Sequence, residues 1–571
     1  MCGIAGVFST NRDLVTVERL KRMTDAIAHR GPDGEGQWIN AGGNIGLAHR
    51  RLSIIDLTEA GAQPMHSADG RYAITFNGEI YNYKELRAEL INQGYTFHTE
   101  TDTEVLLTLF HLKRERCLDE LDGMFAFAVW DEEKQELFCA RDRFGEKPFH
   151  YFWDGEQFAF ASEMKALFAG GVPKRISQPI LQDFLDRYII ERGTETFFEN
   201  VVKLQHAHYM VVKAGSLSIH SYFDIDLSRK TVLANDEAYA DRFRELFTAG
   251  LKRRLRSDVP VGSSLSGGLD SSSVVCFMRR ELGENAVQKT FSARFDGPKD
   301  EGKWMHIVRD FAHTEHHEVY PDPGEILNDI HQMVYHHEYP FGSPSQCAWW
   351  YVMKMAKANG VTVLLDGQGA DEYLSGYPIM KNFLLMQHLF RFNFGRFRKA
   401  RKGYKKLYGE QYPLGKMLWV HPALMLVNHP KGVFYNARNF KQRLKYETMH
   451  RLQELLAYAD RTSMAFSLEV RLPFLNHELV EYTMSLPDEQ LYNNGMTKQV
   501  MRRAISGFVP EPIVNRIDKI GYEPPEDKWK KILIRQDEVV AQLRSKGYKP
   551  GPSEWRNYIA TVFLKQYGDE R

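Results

Sequence analysis

Short apolar runs broken by turn residues fill residues 1–215. Tyr72-Ala-Ile-Thr-Phe76 runs into Asn77-Gly78, Phe125-Ala-Phe-Ala-Val-Trp130 into Asp131, and Leu137-Phe-Cys-Ala140 follows. Runs of this length and spacing predict antiparallel sheet, with a few helices such as the stretch from Lys84 to Asn92. Asn77-Gly78 directly after an apolar run also predicts a type I′ hairpin turn. The stretch from Ala214 to Asp236 is polar, with two serine-containing turns, and reads as a crossover. From Glu237 the texture changes. Long amphipathic stretches alternate with the apolar runs Val259–Leu265, Thr290–Phe295 and Val361–Leu365, each followed by a glycine or acidic turn. Strand, turn and helix in alternation predict a parallel sheet covered by helices, and the remainder reads as mainly helical. The expected architecture is a β-rich α+β half, residues 2–215, followed by an α/β half, residues 237–571.

Length and charge narrow the class. At 571 residues the chain exceeds the ~150-residue length of one domain about fourfold. Lys+Arg and Asp+Glu number 74 each, 74 − 74 = 0, so no global field draws in nucleic acid. Five cysteines without a CxxC pair form neither a disulfide framework nor a zinc site. No apolar run reaches the ~18 residues of a membrane span, and MCGIAGVF lacks the charged and apolar regions of a signal peptide. The expected setting is the cytoplasm. His313, His316 and His317, like His336 and His337, lack HExxH spacing or a cysteine partner and read as surface or pocket-wall histidines. Arg391 to Lys406 holds eight Lys/Arg and no acid, interleaved with Phe392, Phe394, Phe397 and Tyr404. This pattern predicts a solvated basic helix with an aromatic packing face; a surface for an anionic partner (an acidic acceptor, a lipid head group or another subunit) stays open.

Cys2 is the first residue with candidate chemistry. Removal of Met1 leaves it a free α-amine, which titrates near ~7.7–8.0 and can serve as base for the thiol beside it. Its position alone fits an incidental buried thiol equally well. The residues that follow decide between the two: His29-Arg-Gly-Pro-Asp33, Leu52-Ser-Ile-Ile-Asp56, Asn77-Gly-Glu-Ile-Tyr-Asn82, Thr101-Asp-Thr-Glu104 and Arg141-Asp-Arg-Phe-Gly145. In this order, over most of residues 2–165, they resemble the glutaminase domain of Ntn-type (class II) glutamine amidotransferases, an αββα fold. The resemblance implies that Cys2 attacks the glutamine side-chain amide, giving a thioester and ammonia. It also implies that Arg51 pairs with the substrate carboxylate and that Glu79 and Asp102 hold its ammonium. The Asn77 side chain and the Gly78 N–H would form the oxyanion hole.

The second constellation is Val259-Pro-Val-Gly-Ser-Ser-Leu-Ser-Gly-Gly-Leu-Asp-Ser-Ser-Ser273. Glycine N–H groups and serine hydroxyls where a strand enters a helix N-terminus form an anion cradle. No Gly-Lys-Ser/Thr follows, so this is not a Walker A loop. Downstream stand Val361-Thr-Val-Leu-Leu365 before Asp366-Gly-Gln-Gly-Ala-Asp-Glu372, then Ser463–Leu475 and Asn494-Gly-Met-Thr-Lys498. The Ser-Gly-Gly-x-Asp-Ser form resembles the PP-loop of N-type ATP pyrophosphatases, an adenine nucleotide α-hydrolase-like fold. Together the blocks resemble the synthetase domain of glutamine-hydrolysing asparagine synthetases, across residues 237–530.

That resemblance implies ATP as co-substrate, with Ser266, Gly267, Gly268, Asp270 and Ser271 on its phosphates and Ser264, Ala293, Asp366 and Gly367 around adenine and ribose. Mg²⁺ would be held by Asp270 and Asp371, with Glu372 beside them as a further oxygen ligand. Lys498 would neutralise charge as ammonia attacks an acyl-adenylate. The chain departs from the family in its Asp366-Gly367-Gln368-Gly369 turn, where a family carboxylate is replaced by Gln368. An amide can hydrogen-bond but cannot serve as a general base at neutral pH.

The expected activity is an ATP-dependent amidotransferase acting on small molecules: glutamine, ATP and, preferentially, aspartate. A conduit for neutral ammonia would join its sites. The same chemistry on a uronic acid or a secondary-metabolite carboxylate stays open, as does a weakly active nucleotide- or glutamine-sensing protein. No nucleic-acid partner is expected; a homodimer is compatible with the sequence.

Overall fold

The computed structural model describes residues 2–190, 192–283, 285–297, 299–408, 439–518 and 524–568. The first half holds two six-stranded antiparallel sheets. One is centred on the strand Gly3–Ser9, paired with Ile45–Arg51 and Gln157–Ala161. The other is centred on Gly123–Asp131, paired with Tyr72–Ile80 and Glu136–Arg141. Side chains alternate faces along a strand, and the alternation assigns the layers. Ile4, Phe8, Ala73, Ala126, Ala128 and Trp130 form the apolar layer between the sheets. Ala5 and Val7 face the opposite way, onto Leu20 and Met23 of the helix Val17–Asp25. Tyr72, Ile74 and Phe76 meet Leu86, Leu90, Leu106 and Phe110 of two helices on the other outer face. Helix, sheet, sheet, helix is the expected αββα order.

Two local readings differ from the sequence expectation. Asn77-Gly78 is not a turn: both lie within the strand Tyr72–Ile80, opposite Ala126 and Phe125. Nine residues of sheet pairing outweigh the local turn preference. Residues 216–221 are a strand, not part of a crossover, and pair with His208–Lys213. This edge strand is mostly exposed, so burial imposes little apolar pattern on it.

The second half is built on a five-stranded parallel sheet with the spatial order Glu315–Val319, Lys289–Ala293, Val261–Ser264, Val363–Leu365, Glu469–Arg471. Numbered along the chain this order is 3-2-1-4-5, so the sequence turns back on either side of Val261–Ser264. The crevice beyond the carboxyl end of that strand is where such sheets bind ligands. Helices cover the sheet and make up most of the rest. The basic segment forms the helix Phe394–Tyr408. Ala400 is buried, Phe397 and Tyr404 are half-buried, and the lysines and arginines lie exposed.

The halves share their core. Leu52, Ile54, Met124 and Phe144 belong to one apolar cluster with Leu265, Leu269 and Phe474 of the second half. Beside it, the buried Arg30 guanidinium bonds Glu163 at 2.8 Å and Asp460 at 2.8 and 3.0 Å. Arg461 reaches Glu338 at 2.8 Å. Charges removed from water must be paired, and two of the pairs, Arg30–Asp460 and Arg461–Glu163 at 3.2 Å, fix one half against the other.

Candidate active sites

Cys2 stands at the start of the central strand Gly3–Ser9. Its nitrogen donates to Asn77 Oδ1 at 2.9 Å, its carbonyl accepts from Arg30 Nε at 3.0 Å, and its thiol lies 4.0 Å from the Leu52 carbonyl. The Asn77 side chain is buried, and its Nδ2 has no hydrogen-bond partner. Buried donors are almost always satisfied. One left open beside a thiol is placed to meet an oxygen that appears only during reaction. Gly78 must be glycine here: its φ is +154°, and a Cβ would lie 2.1 Å from the Met124 carbonyl oxygen.

Arg51, Glu79 and Asp102 line one small cavity with Cys2. Arg51 donates to the carbonyls of Asp56 and Thr58, which holds the guanidinium at the rim. Asp102 begins the helix Asp102–Lys113 and accepts from the Ile80 N–H at 2.8 Å. Burial raises the pKa of the Cys2 thiol. Burial, with Glu469 and Asp102 nearby, holds Glu79 well above the usual carboxylate range, and burial pushes Asp102 up to about 7. The cavity pairs a guanidinium with two buried carboxylates, a match for an amino acid's carboxylate and ammonium.

The second site is a cleft of about 650 Å³ at the carboxyl ends of the parallel strands. Ser264, Ser266, Gly268, Asp270, Ser271, Asp366, Gly367, Gln368, Asp371 and Lys498 all line it. Gly267 and Ala293 are not among its lining residues; Gly267 packs on Trp304 with φ +71°, and Ala293 ends its strand buried. The loop is held open by its own hydroxyls, with Ser266 and Ser271 Oγ 2.9 Å apart. Gly367 lets the facing loop approach, since a Cβ there would sit 2.7 Å from Ser271 N.

Lys498 Nζ bonds Asp270 at 2.5 and 2.6 Å and Asp371 at 2.7 Å, so two carboxylates from the first turns of separate helices converge on one cation. Burial lowers the lysine's pKa, and Asp270 resists the shift. Glu372 does not join them. It is buried against the Tyr377 hydroxyl at 2.6 Å, with burial raising its pKa to about 7. Asp366 accepts from the Ser264 hydroxyl and from Gln368 N–H at 2.9 Å. Gln368 Oε1 is buried without a partner.

Sequence reasoning missed Gln346, Trp349, Tyr458, Arg502 and Arg516, which complete the cleft. Trp349 lies in a helix whose apolar spacing reads as core. Arg516 stands far along the chain and reaches the loop by donating to the Gly267 carbonyl at 2.9 Å. Among the described residues no group of three or more His, Cys, Asp or Glu could hold a metal, and the singled-out histidines form none. His316 faces Glu318 and His317 faces Glu315.

Both halves of the chain match known families. Residues 1–223 match the glutamine amidotransferase domain family, and residues 242–567, more than half the chain, match the asparagine synthase family. The chain belongs to the asparagine synthase family. It is 32% identical to "Asparagine synthetase [glutamine-hydrolyzing] 1" of Bacillus subtilis, over 93% of this chain and 88% of the relative. It is 35% identical to "Putative asparagine synthetase [glutamine-hydrolyzing] 2" of Methanocaldococcus jannaschii, over 73% and 82%. A relative named "Amidase chry2", from Gibberella zeae, is 27% identical over 90% and 86%. As a member of the family the protein is a glutamine-dependent amidotransferase, and ATP use goes with the family. No helix among the described residues is long and apolar enough to cross a membrane.

Proposed function

We propose that the protein forms asparagine from aspartate, glutamine and ATP, with the two sites dividing the work. Once Met1 is removed, the Cys2 nitrogen is an α-amine held by Asn77 Oδ1. The thiol, kept protonated by burial, passes its proton to this amine as Sγ attacks the glutamine amide carbon. The oxyanion is met by Asn77 Nδ2 and Gly78 N–H. The amine then returns the proton to the departing nitrogen, leaving a thioester that water cleaves to glutamate. Arg51 pairs with the substrate α-carboxylate, and Glu79 and Asp102 hold the α-ammonium. The observation that carries this half is the open Asn77 Nδ2 beside a Cys2 nitrogen fixed at 2.9 Å.

In the cleft, the Ser266–Ser271 loop would cradle the ATP phosphates at the start of the helix Leu269–Leu282, with the nucleoside beside Ser264, Asp366 and Gly367. The acceptor carboxylate displaces pyrophosphate to give an acyl-adenylate, and ammonia displaces AMP. Lys498 stabilises the charge that develops on the acyl oxygen and phosphate. Asp270 and Asp371 suit Mg²⁺ as hard oxygen donors already converged on one positive charge; the ion would neutralise phosphate charge. A dry passage for neutral ammonia would have to cross the apolar cluster that the two halves share. We place the reaction in the cytoplasm; a homodimer is the assembly to test for. Pyrophosphate release with Mg-ATP, glutamine and aspartate tests the assignment.

A second reading keeps the chemistry and changes the acceptor. Gln368, with its buried unpartnered Oε1, offers the acceptor a neutral hydrogen-bond acceptor where a carboxylate would repel an anion. Pyrophosphate release with a sugar acid and silence with aspartate would favour it.

A further inference from the structure

Arg471 ends the edge strand of the parallel sheet, opposite Leu365. Its two ends face different sites. The backbone carbonyl accepts from Asp366 N–H at 3.0 Å, anchoring the cleft loop that holds Ser264 and Gln368. The side chain, fully buried, crosses into the first half of the molecule. Within its own half, Nε donates to Glu469 at 2.5 Å, and Nη1 donates to the carbonyls of Arg254 at 2.8 Å and Arg256 at 2.6 Å. These bonds fix the guanidinium plane. Nη2 is left 3.5 Å from Glu79 Oε1, in the glutamine pocket, with no hydrogen-bond acceptor. A shift of about half an ångström would bring that contact into hydrogen-bond range. Glu79 therefore shares its guanidinium with Glu469, and small movements of Arg471 change how that charge is divided.

We propose that Arg471 is a positioning residue that couples the nucleotide cleft to the glutamine pocket, its backbone following the Asp366 loop and its side chain setting Glu79. The proposal rests on the glutamine-site reading above. Nucleotide that reorders the Asp366 loop shifts Arg471 and changes the grip of Glu79 on the substrate ammonium. Reciprocity requires glutamine to change nucleotide affinity by the same factor.

The test uses the full-length Cys2→Ala protein, which holds glutamine without turnover. Titration calorimetry gives Kd for glutamine with and without Mg-ATP, and for Mg-ATP with and without glutamine. Each ligand should shift the other's Kd by the same factor, on the order of fivefold. Adding Arg471→Lys should weaken glutamine about tenfold, the scale of one charge-assisted hydrogen bond, and abolish its response to ATP. ATP affinity alone should stay within about twofold, as for an independent site. Glu79→Gln, which leaves Arg471 in place, should also abolish the response, and adding Arg471→Lys to it should change nothing more. This variant carries the test if Arg471→Lys fails to fold. An unchanged glutamine Kd and ATP response in Arg471→Lys would overturn the proposal. So would glutamine and ATP affinities falling in parallel with Tm, which marks a merely structural role. If the Cys2→Ala protein binds no glutamine, the glutamine-site reading falls as well; if it binds glutamine without any response to ATP, only the coupling falls.

Discussion

Asn77→Ala separates the two halves of the chemistry. The substitution removes the Oδ1 that fixes the Cys2 nitrogen at 2.9 Å and the Nδ2 that is open for the oxyanion. Loss of one oxyanion donor lowers kcat by about 10²–10³, or about 2.7–4 kcal/mol of transition-state stabilisation. The folded state loses one hydrogen bond, worth about 0.5–1.5 kcal/mol. Part of that is offset, because the unsatisfied donor leaves with it. The domain should therefore stay folded. Glutamate release from glutamine is the assay, run beside pyrophosphate release with ammonium chloride as nitrogen source. Asn77→Asp keeps an acceptor for the Cys2 nitrogen but replaces the donor with a negative charge that repels the oxyanion. With glutamine, Asn77→Ala should fall by about 10²–10³ and Asn77→Asp at least as far, and both should run normally with ammonium. Glutaminase kcat near wild type in Asn77→Asp, or ammonium-dependent activity lost in step, would refute the oxyanion assignment.

Cys2→Ala should abolish glutamine-dependent synthesis and leave ammonium-dependent pyrophosphate release intact, while mass spectrometry of the wild type should show Met1 removed. Asp102, raised to about 7 by burial, would on the proposed reading hold the substrate ammonium only when ionised. Glutamine affinity of the Cys2→Ala protein should accordingly weaken as pH falls from 8 to 6, and Asp102→Asn should reduce that dependence, leaving the part carried by Glu79, which burial also raises. Lys498→Ala should stop pyrophosphate release with either nitrogen source and spare glutamate release; loss of both activities would place Lys498 in the fold and not in the reaction. Asp460→Asn leaves the buried Arg30 with a weakened partner, and breaking such a pair costs about 3–5 kcal/mol; a clear fall in Tm with both sites affected is expected.

Much of this arrangement was legible because its decisive pieces are local. Cys2 beside its own nitrogen, Asn77-Gly78 and the Ser266–Ser271 loop each carry their chemistry within a few residues, and strand-to-helix alternation is enough to put that loop at the carboxyl end of a parallel strand. Asn77-Gly78 also shows where local reading stops. The dipeptide favours a turn, but pairing along Tyr72–Ile80 decides its conformation, and the glycine is needed instead for approach to the Met124 carbonyl. The strand Ser216–Ser221 left no apolar pattern to read because most of it faces solvent. Trp349, Arg516 and the Arg471–Glu79 contact had no sequence signal: the first two join distant segments of the second half, and the third forms only when the two halves fold together. Glu372 looked equal to its neighbour Asp371, yet successive helical residues point in different directions, and one faces the cleft while the other faces Tyr377.

The most direct test of the account follows nitrogen from one half of the molecule to the other. Incubation with amide-¹⁵N glutamine, Mg-ATP and aspartate, followed by mass spectrometry, should show the label in the side-chain amide of asparagine, with one glutamate and one pyrophosphate released per labelled product. Label recovered only as free ammonium, without pyrophosphate from aspartate or any sugar acid offered in its place, would contradict transfer between a terminal thiol and an adenylated carboxylate.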